Sequence, residues 1–261
     1  MASRFNHFYL VEIQYLGFRY HGWQFQHGLK TLQGMLEKTL NFLFQGEKFK
    51  ILGAGRTDAM VSAESAYFEL FTNQALDLES FARELNENLP ADINVLNVEI
   101  VDSKFNIIQD VRLKTYQYYF ASVNKKYPFA APLMNCIHHS LDISKMKEAA
   151  RLFEGENDFR HFMVGDAENK SIVREIKESR IEENTALRAS FFPEKSYVFI
   201  VKGKGFMRYQ VRMMMGALIR IGRNEISLQD LEHALQGNPP NFTKLNAAAS
   251  GLMVKEVEFK S

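Results

Sequence analysis

From Phe8 to Tyr15 the chain reads FYLVEIQY, a partial alternation of apolar and polar positions in aromatic and β-branched residues that predicts a half-buried strand. The period then changes. Leu32, Met35, Leu36, Thr39, Leu40 and Leu43 recur at helical spacing and predict a helix over Thr31 to Phe44. Phe49 to Leu52 and Ser65 to Phe71 read as strands flanking a loop from Gly53 to Ala63. Asp77 to Asn88 reads as a helix halted by Leu89-Pro90, and Val95 to Val101 as another strand. A similar order returns later, with strands at Tyr116 to Val123, Ser171 to Ile181 and Tyr197 to Lys202, and helices at Ile143 to Phe153 and Phe206 to Ile221.

Two similar α/β halves are therefore expected, 1–105 and 106–261, with the boundary near Ser103 to Asp110. Short connections such as Ile181 to Tyr197 permit antiparallel pairing. The predicted fold class is α+β, with antiparallel sheets carrying helices on one face, rather than a doubly wound parallel sheet. Composition agrees with a folded chain: 261 residues, 46% hydrophobic, 22 of them Phe, are enough for a sizeable core in one large or two small domains. The opening MASRFNHFYLVEIQYL lacks the apolar core of a secretory leader, and the longest apolar-plus-Gly run, Met213 to Ile219, falls far short of the ~18 residues of a membrane span. A single cysteine, Cys136, excludes an internal disulfide and a multi-cysteine metal site. These features predict a soluble, cytoplasmic protein.

Charge changes the picture only locally. With 32 Lys+Arg against 31 Asp+Glu the net charge is +1, which excludes a wholly basic nucleic-acid coat. Yet Val201 to Arg223 holds six bases (Lys202, Lys204, Arg208, Arg212, Arg220 and Arg223) and no acid. On a helix Arg208, Arg212, Gly216 and Arg220 lie along one face, with Gly216 admitting a close ligand backbone. Arg112, Lys114, Lys125 and Lys126 likewise surround Tyr116, Tyr118, Tyr119 and Phe120. Bases beside aromatics suit a polyanion whose rings can stack. Either segment alone is equally well read as a solvated strand or helix end; two in one chain favour nucleic acid.

The loop ILGAGRTDAM is the most loaded stretch. The third glycine of a dinucleotide fingerprint would fall at Asp58, whose carboxylate would repel pyrophosphate, and no Gly-Lys-Ser/Thr follows for a phosphate-binding loop. What remains is an acid beside a cation on a tight loop, structural or catalytic, and spacing alone favours the structural role. In NCIHHSLD, read as a strand, Cys136 and His138 share a face but His139 does not, so these residues are taken as structural. Asp158 in GENDFRHF is read as a polar turn residue after a helix end.

Taken together, GWQFQ at Gly22 to Gln26, TLQ at Thr31 to Gln33, GRTDA at Gly55 to Ala59, LNENLPADINV at Leu85 to Val95, KTYQYYF at Lys114 to Phe120, FEGENDFRHF, GKGFMRYQVRMMMGALIRIGR and SGLMV resemble the tRNA pseudouridine synthase A (TruA) family over nearly the whole chain. The resemblance implies two α/β halves joined around a central basic cleft, a homodimer that binds tRNA, and isomerisation of uridine to pseudouridine in the anticodon stem-loop without a cofactor. Carried over by residue, it makes Asp58 the catalytic aspartate, Arg212 its basic partner and Tyr116 the tyrosine near the target base. Arg56 would help displace the target nucleotide, and Thr57, Lys114, Arg208 and Gly216 would line the bound RNA. The chain departs from the family pattern in three places. Met60-Val61-Ser62-Ala63 stands for Gly-Val-His-Ala, FNIIQDV (Phe105 to Val111) stands for a segment like FHARFDA, and no Ala-Pro precedes Gly251-Leu252. Because methionine does not cheaply take the positive φ open to glycine, the first departure is expected to alter the loop. A retargeted or catalytically inactive RNA-binding paralogue is the alternative.

Overall fold

The computed structural model describes residues 5–165 and 172–260. The first elements are β1 (His7–Tyr15), a single 3-10 turn (Gly17–Arg19), α1 (Leu32–Phe44), β2 (Phe49–Gly53), β3 (Ser62–Thr72), α2 (Leu78–Asn88) and β4 (Ile93–Ile100). There follow β5 (Val111–Ser122), β6 (Asn135–Ile137), α3 (Ile143–Arg151), β7 (Gly155–Asp158), β8 (Val173–Glu183), β9 (Tyr197–Gly203), α4 (Gln210–Gly222), α5 (Leu228–Leu235) and β10 (Leu252–Phe259). The architecture is the mixed one anticipated, with mostly antiparallel strands. Ser171, the expected start of β8, lies outside the described residues. The chain divides into two compact units, Met1–Arg112 with Val254–Ser261, and Leu113–Met253.

In the first unit the strand order is β4-β1-β3-β10, with β2 also on β3. In the antiparallel register Val11↔Phe68 and Tyr9↔Leu70 all four side chains are buried, and in α1 Leu32, Leu36 and Leu40 are completely buried. Each such side chain stabilises the fold by about 1.5–3 kcal/mol. Rings of Phe44 and Phe81 stack at 5.9 Å, binding α1 to α2. Thr31 caps α1 by accepting from the Gly34 N–H, and Asp77 caps α2 by accepting from Ser80. At the edge, β4 carries a bulge at Leu96, between Val95 and Asn97 in their pairing with Ile13 and Glu12. A bulge there bends the strand and discourages a foreign strand from pairing with it.

In the second unit the order is β5-β9-β8-β7, with β6 parallel to β5. Helix α4 is buried at 11 of its 13 positions, so it is an interior helix rather than a surface helix with one wet face. Its start corrects the sequence reading. Tyr209 takes a left-handed backbone, φ 65°, and the helix begins only at Gln210. Arg208 therefore precedes the helix and does not extend a stripe along it.

The basic run is also less free than its spelling suggests. Arg220 and Arg223, at the end of α4, pair with Glu225 at 3.1 and 3.6 Å, and Lys202 pairs with Glu178 at 3.0 Å. Cations at that end also complement the helix dipole. Asp158 stands at the end of the short strand β7 and makes the turn that leaves it, its carboxylate accepting from the backbone N–H of Arg160 two residues on and from the Arg160 guanidinium. The strand read into NCIHHSLD stops at Ile137, leaving His138 and His139 exposed beyond it. Among the described residues no helix is long and apolar enough to cross a membrane.

Candidate active site

Strand β2 delivers the chain into the loop that carries Arg56, Thr57 and Asp58, and β3 takes it away from Ser62. Arg56 is exposed; Thr57 and Asp58 are half-buried. The loop is held by contacts distant in sequence. The Thr57 carbonyl accepts from the Trp23 N–H at 3.1 Å, the Met60 N–H donates to the Tyr20 carbonyl at 3.0 Å, and the Tyr15 and Thr57 hydroxyls lie 3.1 Å apart. Gly22 makes room for this. It sits at φ 87°, and a Cβ there would come within 2.5 Å of the Thr57 carbonyl oxygen.

The clamp is itself anchored. Tyr20 is buried and donates to Asp92 at 2.7 Å, while Arg19 donates to the same carboxylate at 2.8 Å. Burial, reinforced by the Asp92 hydrogen bond, raises the Tyr20 pKa and keeps the phenol neutral as a donor. One carboxylate thus fixes the segment against which the Asp58 loop is hung.

Immediately after Asp58 the chain makes a tight turn. The Val61 N–H donates to the Asp58 carbonyl at 3.3 Å, and Met60 takes φ 68° at the turn's third residue, the position glycine favours. Methionine therefore accepts the left-handed backbone instead of avoiding it, at a cost of about 1–2 kcal/mol. Ser62, where the family pattern has histidine, is buried and accepts from the Gly17 N–H at 2.9 Å. Its hydroxyl serves the scaffold. We expect Met60→Gly to stabilise the protein by about 1 kcal/mol in urea denaturation. A destabilised variant would show that the Met60 side chain outweighs its backbone strain.

The other candidate residues belong to the second unit. Tyr116 and Lys114 lie on β5, where Tyr116 pairs with Val201 and packs edge-on to Phe206 at 5.0 Å. Lys114 is half-buried, and burial lowers its pKa below the ordinary ammonium value. Arg212 lies in the first turn of α4. Its Nε donates to the Ala247 carbonyl at 2.8 Å, its own carbonyl accepts from the Ala247 N–H at 3.1 Å, and its guanidinium lies 5.2 Å from the Tyr209 ring centre. Arg208, exposed, rests on the same ring at 5.0 Å.

Gly216 has a different role from the one expected. A Cβ there would land on the Leu245 carbonyl oxygen, so the close approach is made by the chain's own backbone rather than by a ligand. The segment Leu245 to Ala248 thus lies along α4, touching it at Gly216 and Arg212, and the buried Tyr118 hydroxyl secures its far end by donating to the Ala248 carbonyl at 2.7 Å. Burial raises the Tyr118 pKa, only partly offset by Asn135 and the charge of Arg212.

The first unit thus carries a carboxylate on a braced loop, and the second carries an oriented guanidinium with a neighbouring tyrosine. A family model described as tRNA pseudouridine synthase matches residues 149–260, and another, described as an uncharacterized protein conserved in bacteria, matches 56–185. Over 253 residues the chain is 32% identical to tRNA pseudouridine synthase A 2 of Bacillus thuringiensis, covering 96% of this chain and 99% of that one. The chain belongs to the tRNA pseudouridine synthase A family. Further members include tRNA pseudouridine synthase A of Solibacter usitatus, 34% identical over 252 residues (95% and 98% covered), and that of Dictyoglomus thermophilum, 32% identical over 251 (95% and 98%).

Within this synthase-family chain, sequence reading passed over Tyr15, Tyr20, Asp92 and Tyr209. Tyr15 and Tyr20 reach the loop, and Asp92 reaches Tyr20, only through folding. Tyr209 did carry a signal, since it adjoins Arg208 and precedes Arg212 by three positions, the spacing at which side chains meet near a helix start.

Proposed function

We propose that the protein isomerises uridine to pseudouridine in tRNA. The observation that carries this reading is the nearly full-length likeness to proteins named tRNA pseudouridine synthase A, joined to a GRTDA loop clamped from both sides. Isomerisation breaks the glycosidic C1′–N1 bond, turns the uracil while it is trapped, and forms a C1′–C5 bond. The C5 hydrogen leaves as a proton and N1 gains one, so the change is redox-neutral. It asks for one ionised carboxylate, as a nucleophile at sugar or base or as the base that removes a sugar proton, and Asp58 is that group.

Because a stacked uridine hides its reactive atoms, the nucleotide must first be flipped out. Arg56, exposed on the same loop, fills the vacated stack, and Tyr116 meets the extruded base. Arg212 supplies the positive charge that keeps Asp58 ionised in the RNA-bound enzyme. Thr57, Lys114 and Arg208 contact the flanking RNA. Gly216 is not proposed for that role, its open side being filled by Leu245.

The proposed target lies in the anticodon stem-loop, and the proposed working form is a cytoplasmic homodimer with chain halves 1–105 and 106–261. Mapping pseudouridine in total RNA from cells with and without the gene tests the target. Loss is expected in the anticodon arm of tRNAs. Loss confined to ribosomal RNA would contradict the tRNA reading, and no loss anywhere would point to a binder without turnover. For the dimer, sedimentation at micromolar concentration showing only monomer is the contrary result.

A further inference from the structure

Tyr209 combines three features that no role so far explains. Its backbone is left-handed at φ 65°, a conformation that costs a bulky residue about 1–3 kcal/mol and that persists where the surroundings enforce it. It stands at the N-cap of α4 yet makes no side-chain capping bond, so helix termination does not account for it. Its ring carries two guanidiniums, those of Arg208 at 5.0 Å and Arg212 at 5.2 Å, and its hydroxyl accepts from Arg208 at 3.3 Å.

An arginine on the first turn of a helix has several rotamers, and an aromatic ring beside its guanidinium favours those that lay it against the ring. Here Nε is tied to the Ala247 carbonyl while the guanidinium is held near the aromatic ring by its quadrupole. The two contacts meet different parts of the side chain. With ordinary helical φ the Tyr209 ring would leave on another bearing from the helix start, so the strained backbone is what places the ring against Arg212.

We propose that Tyr209 is a positioning residue of the isomerisation, whose ring fixes the guanidinium of Arg212 and brings the exposed Arg208 up to the same site. This rests on the reading that Arg212 acts in the reaction. The face of the ring is what matters; among the described residues the hydroxyl bonds only Arg208. Phenylalanine should therefore replace tyrosine with little loss, whereas leucine, apolar and of comparable reach, should not.

The test compares the purified wild-type protein with Tyr209→Phe and Tyr209→Leu in single-turnover isomerisation of tRNA, tRNA binding, thermal unfolding and NMR of the Arg212 Nε–H group, assigned by its absence in Arg212→Ala. The phenylalanine variant is expected to keep the single-turnover rate within about threefold, and the leucine variant to lose about tenfold or more at saturating tRNA. Binding and melting temperature of the leucine variant should stay near wild type while its Arg212 Nε–H exchanges faster with water. A leucine variant with wild-type rate and unchanged exchange would overturn the proposal. So would a phenylalanine variant as slow as the leucine one. Tyr209→Met, also without a π face, takes the place of a leucine variant that does not fold. If the wild-type protein itself forms no pseudouridine, the functional reading fails, and Arg212 exchange in the variants still decides whether the ring holds the guanidinium.

Discussion

Replacing Asp58 with asparagine is expected to abolish pseudouridine formation, by about 10³-fold or more, while leaving tRNA affinity within about a few-fold. The substitution keeps shape and removes charge, basicity and nucleophilicity. The bonds through the backbone of Thr57, Asp58 and Met60 and the contact between the hydroxyls of Tyr15 and Thr57 help hold the loop, and the substitution does not touch them. Mass spectrometry of nucleosides after a single turnover gives the rate, and anisotropy with labelled tRNA gives the affinity. A rate within tenfold of wild type would remove Asp58 from the mechanism, and a collapse of affinity would show that the carboxylate organises the loop.

Gly216→Ala is expected to destabilise the protein by about 3 kcal/mol, a large effect for one methyl group. The added Cβ meets backbone, the Leu245 carbonyl, which cannot rotate aside as a flexible side chain would. Nor is α4 free to move, since it is buried on nearly every side. Relief has to come from lifting the 245–247 segment, and that segment carries both hydrogen bonds between Arg212 and Ala247. Stability and turnover should therefore fall together. Urea denaturation measures the first, and a change below about 1 kcal/mol would show that the segment yields easily.

Much of this was legible because the relevant physics is local. Alternation in FYLVEIQY, the spacing of Leu32, Leu36 and Leu40, and the stop at Leu89-Pro90 each describe what one element does within its own length, and β1, α1 and α2 formed accordingly. The start of α4 was not legible for a related reason. Left-handed φ is anticipated at glycine or asparagine, and the chain places it at Tyr209, where only the surrounding fold can enforce it.

The site residues divide in the same way. Asp58 was conspicuous on a Gly-rich loop, yet the partners that stiffen that loop, Tyr15, Tyr20 and Trp23, lie more than thirty positions away. Gly216 was rightly singled out as a place of close approach, but sequence does not say what approaches. The basic run looked unopposed because the count stopped at Arg223; two residues further on stands Glu225, which pairs with both Arg220 and Arg223.

The most direct test of the account is tritium release from tRNA labelled at uracil C5, measured with the purified protein beside its Asp58→Asn variant. The account predicts that the wild-type protein releases label to water, with no free uracil, and that the variant releases none. Free uracil would identify a hydrolase instead, and absence of release by the wild-type protein on tRNA that it binds would contradict the isomerase assignment.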